Sequence, residues 1–242
     1  MDSFERRTHF LFCAGKAEVG LTVSVYVDLP SVPRHEAHFY TAEQLQVLLE
    51  AIQDDPLYPL VKITAIYGLR RSELLGLQWD SVDFDRGTLT IRHTVSKVTA
   101  AVEKDKTKNA SSYRSFPLLP EARDIFLQAL ADQSANHRLF GKAYQQNPYV
   151  FKWPDGRPFP PDYITHHFAR LLQKHELPRI RFHELRHSCA SLLLSHGFTL
   201  KDVQEWLGHS DIRMTANVYG HLDVARKQSI ADEMSALLSG RR

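Results

Sequence analysis

His183-Glu184-Leu185-Arg186-His187 is the stretch on which the reading of this chain turns. On a helix, His183 and Arg186 are three residues apart and share a face. Leu185, Cys189, Leu192 and Leu193 then form the apolar stripe beside that face. By itself Arg186 reads as a surface arginine in an i, i+4 pair. Its neighbours in the sequence change that. Downstream come Leu207-Gly208-His209 and, ten residues after that histidine, Tyr219-Gly220-His221. Upstream, Gly68-Leu69-Arg70-Arg71-Ser72-Glu73 places an arginine just after a helix-ending glycine, where side chains commonly carry function. Two arginines can hold two phosphate oxygens through their forked N–H groups, which two lysines do less well. A tyrosine is more often a packing residue, and this chain has nine. Tyr219 differs in lying in a short polar stretch between His209 and His221. Its phenol, with a pKa of about 10, needs a neighbouring base or cation before it can attack phosphorus.

The same five residues also read as H-E-x-x-H, a helix that binds zinc through His183 and His187 with Glu184 as base. Glu205 or His209 would then supply a third ligand. Two features oppose this zinc-hydrolase reading. Arg186 puts a positive charge inside the motif, and Ser188 to Leu194 contains neither the glycine nor the third histidine of the extended metal motif. Zinc also leaves Arg70 and Tyr219 without a role. No metal and no cofactor is expected. His187 is read as a structural residue behind the site, and Cys189 as a small core residue.

Taken in order, these blocks resemble the tyrosine recombinases, the phage and transposon integrases. Gly68-Leu69-Arg70-Arg71-Ser72-Glu73 is similar to the family's Gly-x-Arg-x-x-Glu box, which selects Arg70 over Arg71 and gives Glu73 a buttressing place. Leu77, Trp79 and Asp83 match the positions that follow. The family carries a lysine on a β-hairpin between the two arginine boxes. Lys104, Lys106 and Lys108 all fall there, and the order Thr-Lys-Asn-Ala-Ser-Ser-Tyr-Arg-Ser-Phe-Pro selects Lys108, with Lys106 second. The hairpin and the arginine box look most like integrases of conjugative transposons in low-GC bacteria. The resemblance implies Tyr219 as nucleophile, Arg70, Arg186 and His209 as stabilisers of the transition state, Lys108 as general acid and His183 as general base. It implies metal-free cleavage and rejoining of double-stranded DNA through a 3′-phosphotyrosyl intermediate, self-association into a tetramer on DNA, and an excisionase as a further partner. A catalytically idle DNA-binding remnant is the second reading.

The remainder of the chain fits an α+β, mostly helical domain with one small antiparallel sheet. Thr41 with Gln44 makes a capping box ahead of the stripe Leu45, Leu48, Leu49, Ile52. A second helix runs from Leu57 to Tyr67, with Pro59 tolerated in its first turn and Gly68 ending it. Ser72 is expected to cap a short helix through Leu75. Strands are expected between Val82 and Phe116, with a turn at Asp85-Arg86-Gly87 and a hairpin tip over 103–112. Helices follow at about 121–133, 160–175, 183–196 and 199–207, then a short one after Ser210 and a last one from about Asp223. Thr199 with Asp202 forms another capping box, and Gly197 and Gly208 suit helix C-termini. The resemblance narrows the fold to the integrase catalytic domain, a helical bundle with a small three-stranded antiparallel sheet. It assigns 37–228 to that domain, 1–36 to a linker or the stump of a missing core-binding domain, and 229–242 to a C-terminal helix or tail. Val23, Val25 and Val27 alternate like a short strand before Pro30 and Pro33.

Composition excludes less than the motifs do. With 242 residues and 43% apolar, the chain can bury a sizeable core. Thirty basic and 28 acidic residues leave a net charge of +2, so DNA affinity must come from a local basic surface. Two distant cysteines make no disulfide framework. The run Arg6-Arg7-Thr8-His9-Phe10-Leu11-Phe12 is too short for an export signal before Lys16 and Glu18, and no run reaches the roughly 20 residues of a membrane span. The expected location is the cytoplasm of a bacterium, at the nucleoid.

Overall fold

The computed structural model describes residues 38–95 and 113–208, all within one compact unit, Glu36–Arg242. The expected hairpin tip, the short helix after Ser210, the helix from Asp223 and the alternating valines near the N-terminus lie outside the described residues. Seven α-helices and three strands are present among those described: α1 Ala42–Ala51, α2 Tyr58–Tyr67, α3 Arg71–Leu75, β1 Val82–Asp83, β2 Thr88–Ile91, β3 Arg114–Pro117, α4 Pro120–Phe140, α5 Pro161–Lys174, α6 Glu184–Ser195 and α7 Leu200–Leu207. The fold is the expected α+β one, a helical body with a small three-stranded antiparallel sheet.

Local chemistry sets most of the boundaries. Thr41 Oγ1 accepts from the Gln44 N–H, and Gln44 Oε1 accepts from the Thr41 N–H (3.0 Å), which closes the box that starts α1. Thr199 and Asp202 do the same for α7. Gly68 ends α2 and Gly208 ends α7, both in the left-handed conformation that a side chain disfavours.

Two boundaries differ from the sequence reading. Ser72 is not the cap of α3; Arg70 holds that position, and the Glu73 carboxylate three residues on accepts its backbone N–H (2.8 Å). The carboxylate is buried and ionised, so this is a charge-assisted bond that fixes Arg70, not Ser72, at the start of the helix. Helix α4 continues to Phe140 rather than stopping near 133. Its last two turns, Ser134 to Phe140, lack the apolar spacing that marks a helix, so the sequence pattern ends early. In the fold, Gln133 anchors the helix by donating to the Val150 carbonyl (2.6 Å), and Gly141 terminates it.

The sheet runs in the order β1-β2-β3, with Leu89 opposite both Val82 and Phe116, and Ile91 opposite Arg114. Its inner face joins a core that includes Leu48, Leu60, Ile63, Leu74, Phe126, Phe168 and Leu185. Helix α2 packs along α6, and α6 against α7. This crossing is what positions the site. It brings the α2–α3 junction, which carries Arg70, against the N-terminal half of α6, which carries Arg186. No described helix is long and apolar enough to cross a membrane.

Candidate active site

Three arginines and one glutamate meet where α2, α3, α6, α7 and β3 converge. Arg186 is only 1% exposed. It is not the surface arginine that its sequence neighbours alone would suggest. Its Nη1 donates to the Gly68 carbonyl (2.7 Å) and its Nη2 to the Leu207 carbonyl (2.8 Å). Both carbonyls end a helix that stops at a left-handed glycine, and a helix C-terminus carries partial negative charge that suits a cation. Burial, and then the nearby charge of Arg70, push its pKa down to about 9, which still leaves it charged at neutral pH.

Arg70 lies beside it and is one-third exposed. Its Nη1 donates to Glu73 Oε1 (2.7 Å) and its Nη2 to the Gly208 carbonyl (3.2 Å). A guanidinium has five N–H groups, so this pattern leaves Arg70 donors on the solvent side. Arg71, the neighbour that competes with it in sequence, points elsewhere, donating to the Pro161 carbonyl and to Thr165. Glu73 is 1% exposed. Burial opposes its ionisation, but the hydrogen bonds and charge of Arg114, followed by those of Arg70, overcome this and hold its pKa at about 2.

His183 is the residue before α6, placed at its N-cap rather than inside the helix. It is solvent-exposed at its edge, yet surrounding groups exclude enough water to lower its pKa. Desolvation is the main cause, followed by the positive charges of Arg186, Arg70 and Arg181. A neutral imidazole beside cations can accept a proton. His187 lies behind it, the two rings meeting edge to face with centroids 5.4 Å apart. Its pKa falls to about 4, first through desolvation and then through His183. Glu184, the base of the zinc reading, is committed to another task. Its carboxylate accepts from the Arg181 backbone N–H (2.6 Å), Nε (3.1 Å) and Nη2 (2.9 Å). Cys189 is buried, and desolvation raises its thiol pKa to about 12, as suits an inert core residue.

Of the six residues singled out in the sequence, the structure brings together Arg70, Arg186 and His183. Lys108, His209, Tyr219 and the second lysine, Lys106, lie outside the described residues. One participant escaped the sequence reading. Arg114 on β3 is 8% exposed and grips both oxygens of Glu73, Nη1 to Oε1 (3.1 Å) and Nη2 to Oε2 (2.9 Å). Its Nε donates to the Trp206 carbonyl (3.2 Å). The signal lay in the alternation of β3, where Arg114 shares a face with buried Phe116.

The fold thus gathers three guanidiniums, those of Arg70, Arg114 and Arg186, close to one buried carboxylate, Glu73. Residues 38–226 match the phage integrase family, and the chain belongs to that family. It is 28% identical over 228 residues to a XerC-like tyrosine recombinase of Caldanaerobacter subterraneus, an alignment covering 86% of this chain and 58% of that one. It is 28% identical over 222 residues to the transposase of transposon Tn916 from Enterococcus faecalis, covering 86% and 53%. The chain thus spans little more than half the length of these relatives. Among solved structures it is similar to the Tn1549 transposon integrase in complex with transposon right end DNA, with a TM-score of 0.68 and 25% identity over 83% of this chain and 67% of that one.

Proposed function

We propose that this chain is the catalytic part of a site-specific DNA recombinase that breaks and rejoins strands through a phosphotyrosine. The observation that carries the reading is the pair Arg70 and Arg186, fixed by neighbouring carbonyls beside a neutral His183, at the positions of the family's arginine boxes. Two oriented guanidiniums supply the fixed positive charge that a phosphoryl transition state requires, in a partly dry site where such charge acts strongly. In this scheme the Tyr219 oxygen attacks phosphorus as His183 takes its proton. The phosphorus–O5′ bond breaks, and Lys108 gives a proton to the departing 5′-oxygen. His209 joins the arginines in stabilising the pentavalent state. A 5′-hydroxyl from a second strand reverses these steps, so the bond energy is kept and no nucleotide triphosphate is consumed.

The likeness to the Tn916 transposase and to the Tn1549 integrase supports double-stranded DNA from a mobile element as the substrate. Assembly into a tetramer on that DNA, an excisionase partner and action at the bacterial nucleoid belong to the same reading. So does the division into 1–36, 37–228 and 229–242. The test is a nicked suicide duplex, which traps the covalent intermediate. Wild-type protein forms an SDS-resistant adduct and Tyr219→Phe forms none, in excess EDTA as well as without it. DNA binding with no adduct would favour the idle remnant. An adduct in Tyr219→Phe would overturn the nucleophile, and loss on chelation with recovery on zinc would revive the His183–His187 metal reading.

A further inference from the structure

Arg114 lies on the strand that follows the 96–112 segment, six residues after Lys108. Its side chain is where three parts of the chain meet. It holds Glu73 on α3, it bonds the Trp206 carbonyl at the end of α7, and its guanidinium sits over the Phe116 ring at 5.3 Å. Phe116 in turn packs edge-on against Trp206, with centroids 4.9 Å apart. At the other end of that segment, the Val95 N–H donates to the Ser72 carbonyl (2.9 Å). Both flanks of 96–112 are therefore tied to α3, the helix that Arg70 caps.

The contacts of Glu73 give this a consequence. Each carboxylate oxygen is shared: Oε1 accepts from Arg114 and from Arg70 Nη1, and Oε2 from Arg114 and from the Arg70 backbone N–H. A buried carboxylate without a full set of donors is costly and draws in whatever cation is near. With Arg114 gripping both oxygens, Arg70 gives Glu73 a single side-chain nitrogen. Without Arg114, the remaining way to satisfy the carboxylate is for Arg70 to turn its whole fork inward, away from an incoming phosphate.

We propose that Arg114 is a positioning residue for strand cleavage, which satisfies Glu73 so that the Arg70 guanidinium stays available to the scissile phosphate. This rests on the recombinase reading above.

The experiment measures adduct formation on the nicked suicide duplex in a single turnover at saturating DNA, with DNA affinity titrated separately. Arg114→Met lowers the cleavage rate about 100-fold, the scale of a misplaced catalytic group, and alters the Kd only a few-fold. Adding Glu73→Gln to Arg114→Met removes the unpaired carboxylate, releases Arg70 and recovers about tenfold of the rate, or 1.4 kcal/mol of barrier. A merely structural arginine gives no such recovery, because the second substitution deletes yet another buried contact. If Arg114→Met lacks a cooperative melt, Arg114→Lys, which keeps a cation but loses the fork, carries the same comparison with Glu73→Gln. Wild-type cleavage in the single variants, a loss explained wholly by Kd, or no recovery in the double variant overturns the role of Arg114. A wild-type protein that forms no adduct fells the recombinase reading itself, a separate outcome.

Discussion

Arg186 and Arg70 donate to consecutive carbonyls, Arg186 to Leu207 (2.8 Å) and Arg70 to Gly208 (3.2 Å). The end of α7 therefore sets the spacing of the two guanidiniums, and the chain passes directly from Gly208 to His209. Two like charges are tolerated side by side because each faces a helix-terminal carbonyl and Glu73 supplies one negative charge between them and Arg114.

Arg186→Lys keeps the charge and loses the fork. An ammonium cannot span the Gly68 and Leu207 carbonyls as the guanidinium does, and a buried acceptor left without its donor costs about 1–3 kcal/mol. Single-turnover cleavage is expected to fall by about 10³-fold or more, the range for an arginine at a phosphoryl transition state, while DNA affinity changes modestly. Equal losses in both would make Arg186 a docking residue.

Gly68→Ala tests the α2–α3 junction. Gly68 has φ +62°, and an added Cβ would collide with the buried Leu207 side chain. The left-handed conformation costs about 1–2 kcal/mol and the overpacking about 1–3 kcal/mol more. Gly197→Ala, at φ +89° with open space around it, pays the conformational part alone. Urea unfolding should rank Gly68→Ala as clearly the less stable; equal midpoints would mean that Leu207 yields without cost.

Acid should weaken the fold in two steps. His187 has its pKa lowered from 6.5 to about 4, so the unfolded chain takes up the proton first. Its contribution is complete above pH 6.5 and is lost as pH falls toward 4; His183 acts in the same direction. Glu73, lowered from 4.5 to about 2, contributes fully above pH 4.5 and loses its share as pH falls toward 2. That share is about 3 kcal/mol by linkage. Urea midpoints measured from pH 8 to pH 2.5 should show both declines, with His187→Gln flattening the upper one. A midpoint that stays level between pH 7 and 4 would contradict a half-buried His187 held neutral by its surroundings.

Lys108 should matter in proportion to how poorly the 5′-oxygen leaves. Lys108→Ala is expected to be severely slowed on ordinary DNA and largely rescued by a bridging 5′-sulfur, because a thiolate departs without protonation. Lys106→Ala should show neither effect. Rescue of Lys106→Ala instead would move the general-acid assignment from Lys108 to Lys106.

The sequence by itself determined the elements whose causes are local. Capping boxes at Thr41 and Thr199, glycine stops at Gly68 and Gly208, and the strand over Thr88 to Ile91 each depend on residues a few positions apart, and each is present in the fold. The ordered motif blocks likewise carried the family. Only the tertiary structure decided what depends on distant partners. Arg70 rather than Ser72 caps α3, held there by Glu73, which Arg114 grips from 41 residues away. Arg186 became a buried cation because α2 and α7 bring their terminal carbonyls to it, from 118 and 21 residues away. Arg114 entered the site for the same reason. Hydrophobic period and capping chemistry act along one element, whereas burying a charge requires donors and acceptors gathered from several, and no single stretch of this sequence contains that set.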